Sequence, residues 1–207
     1  MGDFFHEAVS FEWRHAIYKT IELCPQHIFV FLTKRPQNIS SFWIPPKPNV
    51  WLGVSCENQA RADERIPILL QIPAAVRFVS LEPMLGPIDL QQAHGLYYDK
   101  AGCDFRKIDW AIVGGETGPG ARSLHPDWVR KIRDDCQAAD VSLFFKGWGE
   151  FCAISQMPLN TYKKWCDMQQ GWTINGPDDP VYIGKKVAGR LIDGRTWEEY
   201  PKEDNHG

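Results

Sequence analysis

The sequence predicts an α/β protein built on a mostly parallel sheet, and three observations carry that expectation. Five short runs rich in Val, Ile, Leu and Phe recur through the first 150 residues, each closing on charged residues. The runs are nearly continuous rather than alternating, as strands buried on both faces read. Helical segments lie between several of them, and strand–helix alternation favours parallel strands joined by crossovers. Both a whole or partial barrel and a doubly wound sheet fit this pattern.

The elements follow in order. "VSFEWRHAIYKTIELCP" (9–25) aligns Val9, Trp13, Ile17 and Ile21 as the apolar face of a helix that stops at Pro25. "HIFVFLTKR" (27–35) is the first strand and ends in Lys34 and Arg35. "NVWLGVSCE" (49–57) is the second and ends in Glu57. "NQARADERIPILLQIP" (58–73) holds a helix from Asn58 to about Arg65, with Pro67 limiting its length. "VRFVSLEP" (76–83) is the third strand, ending in Glu82. "IDWAIVGGE" (108–116) is the fourth, ending in Gly114, Gly115 and Glu116. "HPDWVRKIRDDCQAAD" (125–140) is the clearest helix. Pro126 suits a first turn, Asp127 lies at the positive end, and Val129, Ile132 and Cys136 share a face. "VSLFFKGWGE" (141–150) is the fifth strand, containing Lys146 and ending in Glu150. Beyond it glycine and proline increase, and "VYIGKKVAGRLIDGRTW" (181–197) reads as a small hairpin. The chain therefore divides into a core at 1–150 and an irregular extension at 151–207 packed on it. The insertion 91–107 reads as a loop overhanging the site, with Tyr97 and Tyr98 as stacking residues.

At 207 residues and 43% hydrophobic content, the chain can bury one sizeable core. A net charge of -3 provides no global field that would recruit nucleic acid. A local basic tract remains in Lys185, Lys186, Arg190 and Arg195, read either as a solvated lid or as a phosphate contact. The six cysteines, at 24, 56, 103, 136, 152 and 166, form neither a CxxC pair nor a tight grouping with histidine. That spacing argues against a zinc or iron–sulfur site made by this chain alone and suits reduced thiols in a cytoplasmic protein. No apolar run approaches 18 residues, so no membrane span is expected.

In either α/β fold the carboxyl ends of parallel strands form one rim, where ligands bind. Glu82, Glu116 and Lys146 are the catalytic candidates there. Lys34, Arg35, Glu57, Gly114, Gly115, Arg122 and Glu150 are the ligand-binding candidates. The competing reading is that charges collect at strand ends because strands leave the core there. Glu57 and Glu82 suit acceptors for a polar or cationic ligand, or a carboxylate pair for Mg²⁺, but no metal site is assigned. The glycines follow neither GxGxxG nor the phosphate-loop pattern. They either let the backbone approach a ligand or adopt positive φ in a turn. Arg122 either forks onto a phosphate or carboxylate or pairs with Glu116. His125 reads as a helix start before an acid–base group.

The blocks "FLTKRP", "WLGVSCEN", "RFVSLEPMLGPI", "DWAIVGGETGPGAR", "HPDWVRKIRDDC", "FFKGWGE" and "AGRLIDGRTWEEYP" resemble, in order, those of a phage-associated family, the domain of unknown function 5131. The resemblance covers essentially the whole chain. It implies a radical-SAM-like ancestry and a partial (β/α) barrel. Longer members carry an upstream cysteine cluster suited to a [4Fe–4S] centre and S-adenosylmethionine. This chain begins at a mid-family block, "MGDFFHEAV", so the resemblance places that cofactor region outside it. Both cofactors are expected only if such a region precedes the chain. At position 147, where the family carries glutamine, this chain has Gly147.

Two function classes follow. The first is a radical-SAM-like binding or interaction protein without its own iron–sulfur motif. Its first strand would expose an edge carrying Ile28, Phe29 or Phe31, which invites self-association or a protein partner. The helix at 9–25 and the C-terminal hairpin are the internal covers available. The alternative is an enzyme acting on a nucleotide or nucleic acid, either from the rim carboxylates or as part of a longer radical-SAM protein.

Overall fold

A computed structural model describes residues 3–39, 47–93, 96, 107–168 and 176–201. Five strands form one sheet: β1 (Phe29–Thr33), β2 (Val50–Ser55), β3 (Val76–Leu81), β4 (Trp110–Gly114) and β5 (Ser142–Gly147). They lie in sequence order, and every neighbouring pair is parallel. The order shows no reversal of the kind a doubly wound sheet makes at its switch point. β1 and β5 are the two edge strands of this sheet among the described residues.

The two faces of the sheet differ. Leu52, Val54, Val79, Leu81, Val113 and Phe145 share the main core with Ile66 and Leu69 of α2 (Gln59–Leu70) and Val129 and Ile132 of α3 (Pro126–Ala138). The other face is aromatic. Strand register places Trp51, Phe78, Trp110 and Phe144 along it. The Phe78 ring lies over Gly53, where no Cβ fits. Tyr200 meets both Trp110 and Phe144 at 5.6 Å between ring centroids.

Two helices differ from expectation. α2 starts after Asn58, whose side chain caps it at 3.1 Å, but runs through Pro67 to Leu70 instead of ending near Arg65. An internal proline costs about 3 kcal/mol. Burying Leu69 and Leu70 in the turn beyond it contributes about 1.5–3 kcal/mol each, so burial wins. α1 (Phe11–Leu23) forms as expected, yet of its expected apolar face only Ile21 is buried. Trp13 and Ile17 are exposed, and Arg14 and Ile21 are the buried residues. The N-terminal loop intervenes: Arg14 donates to the His6 carbonyl at 2.9 Å, and Tyr18 meets Phe4, which packs on Phe31.

The single hairpin expected over 181–197 is replaced by two smaller units. β6 (Phe151–Ala153) pairs antiparallel with β7 (Pro180–Tyr182), and β8 (Leu191–Ile192) pairs with β9 (Arg195–Thr196). Gly184 and Gly189, at φ of 79° and 73°, bracket the short helix α5 (Lys185–Ala188) and break the longer run. Another helix, α4 (Leu159–Met168), lies between β6 and β7. The tail then lies along the outer edge of β5. Phe145 donates its backbone N–H to the Trp197 carbonyl at 2.8 Å, and Glu199 donates to Leu143 at 2.9 Å. The tail therefore covers β5, where the sequence had suggested a cover for the first strand. Tyr97 and Tyr98 lie outside the described residues.

Candidate functional site

All five strands run the same way, so the residues that follow them collect at one end of the sheet. Lys34, Glu57, Glu82, Glu116 and Lys146 stand there. They sort into separate groups, and among the described residues no ion pair joins one group to the next.

Over β1 and β2, Lys34 Nζ lies 3.4 Å from Glu57 Oε1. Arg65 of α2 reaches Glu57 Oε2 at 3.1 Å and donates to the Ser55 carbonyl at 2.6 Å. Burial alone would raise the Glu57 carboxyl. A bond to its own backbone N–H and the Arg65 and Lys34 charges outweigh that and hold it below its ordinary value. Arg35 faces elsewhere. Its guanidinium meets Asp3 at 3.0 Å, and Asp3 also accepts from the Thr33 hydroxyl at 2.8 Å. Arg35 therefore ties the N-terminal loop to the end of β1.

Over β3 to β5, Lys146 Nζ sits 2.6 Å from Glu82 Oε2. The register slips between Val113 and Gly114, leaving Lys146 as the extra residue on β5. The pair spans β4 at Gly114. A Cβ there would stand 3.2 Å from Glu82 Oε1, so glycine leaves the carboxylate its room. Gly114 and Glu82 thus share the aromatic side of the sheet. Ser80 and Ser55, paired in register one layer below, share it too.

The loop after β4 closes on itself. Arg122 grips Glu116 with two side-chain bonds of 2.8 Å, and its backbone N–H adds a third. The Arg122 hydrogen bonds pull the Glu116 carboxyl down to about 2. Of the two readings of Arg122, pairing with Glu116 is the one the structure adopts. Gly115 packs backbone to backbone: its N–H donates to Gly147 at 2.9 Å, and a Cβ would collide with the Trp148 carbonyl. Glu150 is a brace. It accepts from the Gly118 N–H at 3.0 Å and from the Lys185 N–H at 3.1 Å, fastening the glycine loop to the C-terminal extension. His125 caps α3 by accepting from the Asp127 N–H.

Arg65 and Asp3 were missed by sequence reasoning. The signal for Arg65 was available, since it shares a helical face with Ala62, Ile66 and Leu69 at spacings of three and four. Asp3 accepts locally from the Phe5 N–H, but nothing local marks its partners Thr33 and Arg35, 30 and 32 residues away.

Three of the described cysteines are poorly suited to ligate an iron–sulfur cluster. Cys56, Cys136 and Cys152 are buried, and burial pushes each thiol up to about 12. A cluster needs thiolates close together. Among the described residues there is no group of three or more His, Cys, Asp or Glu placed to hold a metal ion. No helix among them is long and apolar enough to cross a membrane.

A family model described as "Protein of unknown function (DUF5131)" matches residues 1–201. No curated protein and no solved structure matches the chain.

Proposed function

The chain belongs to the DUF5131 family, and from that premise we propose that it is a binding or interaction protein whose contact surface is the open flank formed by α1 and β1. One observation carries this reading. Of the eleven large hydrophobic residues exposed among those described, seven fall between Phe11 and Leu32. They are Phe11, Trp13, Ile17 and Leu23 on or at the end of α1, and Ile28, Val30 and Leu32 in or next to β1. Scattered exposed apolar residues are ordinary, and seven of them within residues 11–32 support an interaction surface built from this stretch.

The radical-SAM likeness enters as ancestry. Five parallel strands in sequence order suit part of a (β/α) barrel, while the described cysteines are poorly placed for the cluster. The alternative, an enzyme acting on a nucleotide or nucleic acid from the rim carboxylates, lacks a comparable observation. Glu82 and Glu116 are each engaged by a cation, and Glu116 is held ionised well below neutral pH, which makes it a weak base.

A photo-crosslinking residue placed at Ile17 in cells tests the proposal, with Leu159, exposed elsewhere, as the control position. The expected result is a protein adduct of discrete mass from position 17 and none from 159. Equal yields at both positions would overturn it.

A further inference from the structure

Resting on that reading, we infer that β1 is a strand-pairing edge and that its occupant is β1 of a second copy of this chain, in antiparallel orientation. The argument begins with backbone direction. In a parallel pair, alternate residues turn both their N–H and their C=O toward the neighbour. Phe29 donates to the Asn49 carbonyl at 2.8 Å, so Phe29, Phe31 and Thr33 face β2. Val30 and Leu32 therefore turn their backbone groups away from it. β1 is the end of the sheet, and no described segment pairs with that edge. What it lacks is an extended backbone, which a helix or a small molecule does not supply.

The side chains agree with the backbone. Ile28, Val30 and Leu32 are 47%, 52% and 37% exposed, whereas Phe29 and Phe31 pack against the core. Phe29 and Phe31 are thus not the apolar edge residues that the sequence suggested, and Ile28 alone of those three is. Proteins usually blunt a free edge with a charge, a proline or a bulge. Residues 28–33 contain none of these. The opposite edge, β5, is covered by the tail at 197–199. Among the described residues, one edge is shielded and the other is left apolar.

Charge selects the orientation, and the apolar row selects the partner. Lys34 and Arg35 follow β1 directly. A parallel partner with the same ending would bring these cations together. A twofold axis at Val30 sets Val30 against its own copy and Ile28 against the second copy's Leu32. The Lys34–Arg35 pairs then fall beyond opposite ends of the ladder. A self-complementary apolar row is what a twofold interface requires.

Light scattering over a concentration series tests this with purified wild type, Leu32→Asp and Val30→Pro. Proline at 30 removes an outward N–H and leaves the β1–β2 bonds intact. Twice the chain mass for wild type, falling to the single mass in both variants while the unfolding midpoint of Val30→Pro is kept, is the expected result. A wild type of single mass throughout would overturn the inference, while a discrete adduct from position 17 would still support the proposed function. A dimer lost in Leu32→Asp but kept in Val30→Pro would overturn strand pairing alone. Should Val30→Pro unfold, amide exchange at Val30 and Leu32 in wild type decides. Protection that rises with concentration supports the pairing, and protection independent of concentration overturns it.

Discussion

Replacing Gly115 by alanine should destabilise the protein by about 2–4 kcal/mol. The added Cβ would stand 2.5 Å from the Trp148 carbonyl carbon, and ordinary contact begins at 3.4 Å. The Trp148 carbonyl oxygen stands closer still, so the loops after β4 and β5 must separate by about 1 Å or more at a point where both neighbours are backbone and no side chain can swing aside. Two hydrogen bonds cross this seam: Gly115 N–H to Gly147 at 2.9 Å and Glu150 N–H to Glu116 at 3.1 Å. Each is worth about 1 kcal/mol, and disturbed packing of Trp148 on Phe145 adds to the loss. Gly118 is the control. It has φ of 97° and nothing within 4 Å of its Cβ position, so alanine there costs only the left-handed strain of about 1–2 kcal/mol. Urea unfolding measures both. With a slope of about 1–3 kcal/mol/M, Gly115→Ala should lower the midpoint by roughly 1–2 M. A Gly115→Ala protein as stable as Gly118→Ala would refute the claim that close backbone approach is why glycine stands at 115.

The Glu116 carboxyl should titrate with a midpoint near 2 by carbon-detected NMR and return toward its ordinary 4.5 in Arg122→Gln. Because its folded value is depressed, the stability it contributes is present above the unfolded value and is lost as pH falls toward 2. An unchanged midpoint in the variant would show that Arg122 is not the cause. Asp193 gathers Arg130, Arg133 and the Gln156 amide, and these hydrogen bonds hold its carboxyl below its ordinary value. Its side chain is 40% exposed, so Asp193→Ala should cost only about 1–2 kcal/mol after solvent screening. It should also speed proteolysis within 176–201, and wild-type cleavage rates there would contradict the role assigned to this network.

The sheet was legible because burial on both faces leaves a strong residue-level trace. All five runs became strands, and α3 kept its predicted face. α1 was misread because periodicity reports that a face exists without reporting what lies against it. Here Phe4 and Phe5 took the place at Phe31. α2 was cut short because Pro67 is a local signal and the burial that overrides it is not. At the rim the residue types were legible and their pairings were not. Lys146 meets Glu82 across 64 residues, over a strand whose glycine leaves the carboxylate its room. The glycine loop read as open between ligand and turn, because close backbone approach to Trp148 and Gly149 needs a partner loop that no local pattern names.

The strap of residues 197–199 along β5 sets a timetable for the nascent chain. β5 is complete at Gly147, and Trp197 is added 50 residues later. At roughly 5–20 residues per second, the ribosome takes about 3–10 s over that interval. Throughout it a fully made strand edge awaits the segment that covers it.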